Sequence, residues 1–162
     1  MRLYPETALS QLEFDKVRAL LKEHAKTEYA KEKAENLRIH TRKEYIQLEL
    51  HQSFEYKGIL QQNQYFPNDF TYNISRDLKL LSIQGSMLTG EQWMPVRRLS
   101  ENTNNIFRWF DAERKTAYGA LAKVIDSTYY EKVIIEMIDE VLDEYGQVKD
   151  NASEDLKNIR MK

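Results

Sequence analysis

The sequence contains no cysteine, only five glycines and three prolines in 162 residues. Without cysteine there is no disulfide, no thiolate metal site and no thiol nucleophile, which agrees with a reducing compartment. So few helix breakers argue against a loop-rich or all-β chain. A basic excess is also missing. The net charge is −2 and the isoelectric point about 6.0, so no global positive field gathers nucleic acid. No apolar run approaches the ~20 residues of a membrane span. The opening Met1-Arg2-Leu3-Tyr4-Pro5-Glu6 lacks the apolar centre of a signal peptide. The expected location is the cytoplasm.

What remains is helix-forming. Leu, Glu, Lys, Gln and Ala lose little side-chain freedom in a helix. Hydrophobic residues at 41% and charged residues at 31% can cover a core and keep its outside wet. The expectation is an all-α, irregular multi-helix bundle of about six to eight helices, forming a single helical domain over residues 1–162. At most a small β-hairpin is expected near 146–150.

Taken in order, Phe14 to His24 reads as a first helix, with Val17, Leu20 and Leu21 on its apolar stripe. Thr27 can cap a second helix that ends near Asn36. Thr41-Arg42-Lys43-Glu44 has capping-box spacing, and the helix it opens should run to about Gln62. Asn63 to Thr71, with Pro67-Asn68-Asp69, is a loop. A short helix from Asp77 to Ile83, capped by Ser75 and stopped at Gly85, should turn Leu78 and Leu81 inward. Thr89-Gly90-Glu91-Gln92 begins the next, with Pro95 in or near its first turn and Val96, Leu99, Ile106, Phe107 and Phe110 on its apolar face. Tyr118 to Val124 and Tyr129 to Leu142 complete the series. The last carries a wide stripe of Val133, Ile134, Met137, Ile138, Val141 and Leu142. Ile134 and Phe107 are therefore expected core, each worth about 2–5 kcal/mol on truncation to Ala.

No catalytic, cofactor or metal site emerges. Gly85-Ser86-Met87-Leu88-Thr89-Gly90 has phosphate-loop glycines, but Glu91-Gln92 stands where Lys and Ser or Thr are needed, so it reads as a connector. His24, His40 and His51 lie far apart, and His51 with Glu55 reads as a solvated pair rather than half a metal site. Asp139-Glu140 and Asp143-Glu144 read as the wet face of a helix rather than an acid–base pair. The candidates for nucleic-acid contact are Arg97, Arg98, Arg108, Arg114 and Lys115, interleaved with Phe107, Trp109 and Phe110. The alternative places those aromatics in the core with arginines snorkelling outward. Acidic residues from Glu131 to Asp155 would repel phosphate and confine any such contact to one face.

The most informative stretch is Tyr145 to Arg160. Gly146 follows a helix end, where a left-handed backbone is needed. Asp150-Asn151 favours a turn. Ser153 is an N-cap, with Glu154 and Asp155 at the positive end of a new helix. Together Gly146-x-Val148-x-Asp150-x-Ala152-Ser153-x-x-Leu156-x-x-Ile159-Arg160 resembles the signature that follows the N-terminal helical region of bacterial MutS-II proteins. These are MutS relatives that lack the mismatch-reading domain and usually end in a small Smr nuclease domain. Leu12-Glu13-Phe14-Asp15-Lys16-Val17, then Leu20-Leu21 and Thr27-Glu28, resembles that family's opening segment. Gly85-Ser86-Met87-Leu88-Thr89 resembles its mid-domain connector.

The resemblance implies the N-terminal part of a MutS-like core or lever domain, cut at the start of a long helix from about Ser153. The parent would be a homodimeric, DNA-binding ATPase of DNA repair, mismatch repair, recombination control or ribosome rescue, using ATP and Mg, with the remainder of its own chain (clamp and ATPase domains) as partner. The 162 residues would be non-catalytic, hold no cofactor and transmit nucleotide state as a rigid body. The rival reading is a free-standing helical adaptor that presents its ten tyrosines and six phenylalanines to a partner protein.

Overall fold

The computed structural model describes residues 5, 7–37 and 39–160. The reading of the first six residues and of the chain's end at Met161-Lys162 therefore falls largely outside the described residues. Among the described residues there are ten helices and no strand, an all-α irregular bundle. The β content is one antiparallel bridge, Leu142 with Val148, beside the expected hairpin position. The helix count exceeds the six to eight expected because short pieces, such as Ala8–Gln11 and Ala112–Ala117, have no periodicity long enough to be read. No helix is long and apolar enough to cross a membrane.

The chain divides into two compact units at Lys43/Glu44, a boundary that no Pro-, Gly- or Ser-rich linker announces. In the first unit, α1 (Ala8–Gln11) precedes α2 (Phe14–His24) and α3 (Glu28–Glu35). Thr27 caps α3 by accepting the Ala30 N–H at 3.1 Å. Lys22 and Glu35 pair across the two helices, and Arg18 reaches the Leu37 carbonyl at 3.2 Å. The α2 stripe is not buried here. Val17, Leu20 and Leu21 are all exposed, because α3 is too short and polar to cover them.

The second unit is built on α4 (Lys43–Gln61), α5 (Ser75–Leu81), α6 (Gly90–Trp109), α7 (Ala112–Ala117), α8 (Gly119–Asp126), α9 (Val133–Val141) and α10 (Glu154–Arg160). Its centre is aromatic. Ile59 of α4, Trp109 and Phe110 at the end of α6, and Ala122 and Ile125 of α8 are buried, with Phe66, Phe107 and Tyr118 packed around them. Trp109 meets Phe66 and Phe110 edge-on at 4.9 and 5.0 Å, a geometry that sets positive ring edges against negative faces. Its indole N–H donates to the Tyr65 carbonyl at 2.8 Å, so the polar end of the ring is satisfied.

Three local expectations are corrected. Ser75 is the first residue of α5 rather than its cap, and its N–H is taken by the Asn73 side chain at 3.1 Å. Leu78 and Leu81 face solvent while Asp77 is buried, because Asp77 is held on the inner side beside Tyr72, whose hydroxyl it binds and pushes up from its ordinary pKa. Pro95 lies inside α6 close to its first turn, as expected. The helix tolerates it, with a capping box closing its start: Thr89 Oγ1 accepts the Gln92 N–H at 3.4 Å and Gln92 Oε1 accepts the Thr89 N–H at 2.9 Å. The box read at Thr41 has α4 starting one position late, at Lys43.

Candidate functional site

The α9 sequence VIIEMIDEV is helical, as the spacing of its charged residues requires. Only Ile138 and the following Leu142 are buried; Val133, Ile134, Met137 and Val141 are exposed. That corrects the expectation of Ile134 as core. The stripe is too wide for one neighbour, and α6 covers only its near side. Phe107 does pack against the aromatic centre.

Two contacts fix α6 against α9. Arg97 of α6 holds the Asp139 carboxylate with two donors, Nε to Oδ1 at 2.5 Å and Nη2 to Oδ2 at 3.0 Å. The hydrogen bond from Arg97 lowers the Asp139 carboxyl below its ordinary value, and the same bond keeps the guanidinium charged. Lys149 donates to the Asp139 carbonyl from the other side. The second contact is backbone on backbone. A Cβ built on Gly90 would lie 1.8 Å from the Gly146 carbonyl oxygen, so the start of α6 sits directly on the turn after α9.

That turn is the signature stretch. Gly146 has φ +77°, the left-handed conformation expected of it. Asp143 Oδ1 accepts the Tyr145 and Gln147 N–H groups at 2.9 and 2.8 Å and shapes the loop. The chain returns through the Leu142–Val148 bridge and the Lys149 N–H to Val141 carbonyl bond of 2.9 Å. Ser153 caps α10 by accepting the Leu156 N–H at 3.2 Å. Arg160 folds back from α10 to pair with Asp150 and to reach the Val148 carbonyl at 3.3 Å. Gly146, Asp150, Ser153 and Arg160 are therefore one assembled element.

Beside it lies an apolar groove of about 410 Å³, in which Leu88, Gly90 and Trp93 face Ile134, Met137 and Val141. The sequence around it is acidic: between Glu131 and Asp155 nine carboxylates stand against two lysines.

The five basic candidates are not brought to one concave site. Arg97 is bound to α9. Arg98 lies over the Phe70 ring at 4.4 Å, itself stacked on Tyr72. Arg114 sits 4.9 Å over the Trp109 ring and binds Asp111 at 3.0 Å. Arg108 and Lys115 are exposed. Among the described residues no three His, Asp or Glu side chains cluster as a metal site. The reading of Glu55 as a solvated partner of His51 is corrected: its carboxylate accepts the Ala120 and Leu121 N–H groups at 3.1 and 2.7 Å and so caps α8 from α4. No local signal could reveal it, since the partners are 65 and 66 positions apart.

Comparison with known proteins gives the same direction as the signature. The chain is 30% identical over 155 residues to an endonuclease MutS2 of Aquifex aeolicus (strain VF5), covering 96% of this chain and 20% of the relative. It is 26% identical over 152 residues to the endonuclease MutS2 of Lactococcus lactis subsp. lactis, and 27% over 165 residues to that of Halothermothrix orenii. The chain is related to the MutS family. It spans about a fifth of the length of these curated relatives. No family model and no solved structure matches it. Gly90, Gly146 and the capping box at Thr89 lie within the span that the Aquifex match covers.

Proposed function

We propose that these 162 residues are the structural, transmitting part of a longer MutS-like protein of the MutS2 branch, one that acts on DNA and hydrolyses ATP. In this reading they form the N-terminal part of its core or lever region, are themselves non-catalytic, and bind the remainder of their own chain, the clamp and ATPase domains. The parent is a cytoplasmic homodimer, takes ATP and Mg in its ATPase domain, and carries any Smr nuclease activity elsewhere. The carrying observation is a match that runs through 96% of this chain and only 20% of the relative's.

The physical support is surface. Two separate compact bodies of these sizes would together expose about 10,000 Å². The chain exposes 13,188 Å², with Val17, Leu20, Met137 and Val141 among its uncovered apolar side chains. Surplus surface of that kind, with apolar side chains among it, suits a part that packs against something else. Arg97 and Arg114 are engaged with protein partners, so direct nucleic-acid contact by the five basic candidates is a secondary part of the proposal, resting on Arg98, Arg108 and Lys115. A bidentate Arg97–Asp139 link and a backbone contact at Gly90 are stiff connections, suited to moving α6 and α9 together.

The test is to read the natural frame beyond codon 162 and assay the encoded protein for ATP hydrolysis. A continuing helical region followed by G-x-x-x-x-G-K-[ST], with ATPase activity, is the expected result. A stop directly after Lys162 would leave the free-standing adaptor as the working reading.

A further inference from the structure

We propose that Arg98 is a base-stacking residue, which together with the pocket beside it on α6 takes an unpaired base of a single-stranded nucleic acid. The inference deepens the nucleic-acid part of the preceding reading and rests on it only for the class of ligand.

The observation is a column of planar groups with one end left open. Buried Asp77 accepts the Tyr72 hydroxyl and holds that ring. Tyr72 stacks on Phe70 with the planes 15° apart and the centroids at 6.4 Å. Phe70 is fixed in turn by Asn102 of α6, whose side-chain amide donates to its carbonyl at 3.1 Å. The Arg98 guanidinium then lies over the Phe70 ring at 4.4 Å. Arg98 is exposed and, among the described residues, has no ion pair and no hydrogen bond. Its neighbour Arg97 is the opposite case, bound to Asp139 and Glu101. A guanidinium is a rigid, weakly hydrated plane, and what adds to a stack of such planes is another flat π-system. An unpaired base presents that face, whereas a base inside a duplex is stacked on both sides.

The surroundings of Arg98 favour a base over a protein ring. Glu91, Met94, Pro95, Arg98 and Glu101 recur at i, i+3, i+4, i+7 and i+10, one stripe of α6. With Phe70 they line a pocket of about 460 Å³, within the range of small-ligand sites. Its apolar part, Phe70, Met94 and Pro95, suits a flat heterocycle. Its polar part offers both kinds of edge partner: donors on Arg98, and an acceptor on Glu91, which has no partner among the described residues. A nucleobase carries donors and acceptors around its rim, while a phenylalanine carries neither and a tyrosine one hydroxyl. The same carboxylates disfavour a free di- or triphosphate, which one unpaired arginine does not neutralise, so the phosphates of the strand run outside the pocket.

Two fluorescein-labelled strands of about twelve nucleotides, one of mixed sequence and one abasic throughout, carry the same phosphates and differ in bases alone. Titrated with the 162-residue chain at low salt and followed by anisotropy, the base-bearing strand should bind about tenfold more tightly, as one stacked base contributes. Arg98→Ala and Arg98→Lys should both remove that preference, because lysine keeps the charge and loses the plane. Unchanged far-ultraviolet circular dichroism shows that both variants fold. In NMR spectra the Arg98 Nε–H should move upfield when the base-bearing strand is added, the ring-current signature of stacking. Equal binding of the two strands, or a preference that survives Arg98→Lys, overturns the proposal and leaves a phosphate contact. If a neutral tyrosine-bearing peptide produces the upfield shift and the strand does not, the occupant is a protein ring and the proposal fails. Binding of neither strand overturns the inference together with the nucleic-acid contact of the preceding reading. The ATPase part of that reading is tested separately, beyond codon 162.

Discussion

The two ends of α6 are the same helix under different rules. At its C-terminal end Trp109 and Phe110 are enclosed by α4, α8 and Phe66, with ring edges against ring faces and the indole N–H satisfied. At its N-terminal end the helix is held to α9 by a guanidinium–carboxylate fork and two touching glycines, while most of the apolar surface beside them stays open. The closed end gets its stability from burial, which is indifferent to direction. The open end gets its geometry from directional contacts that cost little area. A helix anchored in this way has one end that resists change and one that can accept a partner.

Mutation can break that contrast, and the largest effect belongs to the closed end. Phe110→Ala should cost about 3–5 kcal/mol in urea unfolding, since the ring is 4% exposed and leaves a cavity among aromatics that cannot collapse. Ile134→Ala, on a side chain 38% exposed, should cost about 1 kcal/mol or less in the same experiment. Equal losses would mean that the groove is part of the closed core. Next in size is Gly90→Ala. In an unencumbered helix this change would stabilise, but here the new methyl meets the Gly146 carbonyl. A loss of about 1–3 kcal/mol is expected, with the α6–α9 seam forced apart. Unchanged stability would show that the glycine contact is not a constraint.

How much of this was legible follows from the range of each signal. Caps act within four residues, so Thr27, Thr89 and Ser153 marked helix starts, and Gly146 announced its positive φ. Periodicity located α2 and α9 but not which of their apolar residues are covered, because that depends on the neighbour. Hence Ile134, Leu78 and Leu81 were expected inside and lie outside. Trp109 and Phe110 gained their role from Phe66 and Ile59, more than 40 residues away. The signature at Gly146, Asp150, Ser153 and Arg160 was legible as a turn and a helix start; its docking on Gly90 was not, since a glycine's value as a contact surface leaves no mark in sequence.

Glu55 gives the third effect. Its carboxylate holds two N–H groups at the start of α8, replacing a cap that Tyr118 does not provide. Glu55→Ala should cost about 1–2 kcal/mol, with Glu55→Gln recovering part of it, because an amide oxygen accepts the bonds without the charge that favours a helix N-terminus. Thermal unfolding of the pair measures this. Identical losses for Ala and Gln would assign the effect to charge alone.

The smallest effect is the one that tests the open end directly. Asp139 has its carboxyl lowered by the Arg97 hydrogen bond, so the folded state favours the ionised form more than the unfolded chain does. That contribution is complete above the ordinary aspartate value of about 4 and is lost as pH falls through the lower folded value. With the Asp139 side chain 44% exposed, solvent screening keeps it to about 1 kcal/mol or less. Comparing the parent chain with Asp139→Asn between pH 7 and pH 3 isolates it. The stability gap between them should be open at pH 7 and narrow on acidification below pH 4. A gap that stays constant across that range would mean that Arg97 does not discriminate the carboxylate from its protonated form, and the seam between α6 and α9 would then rest on the glycine contact.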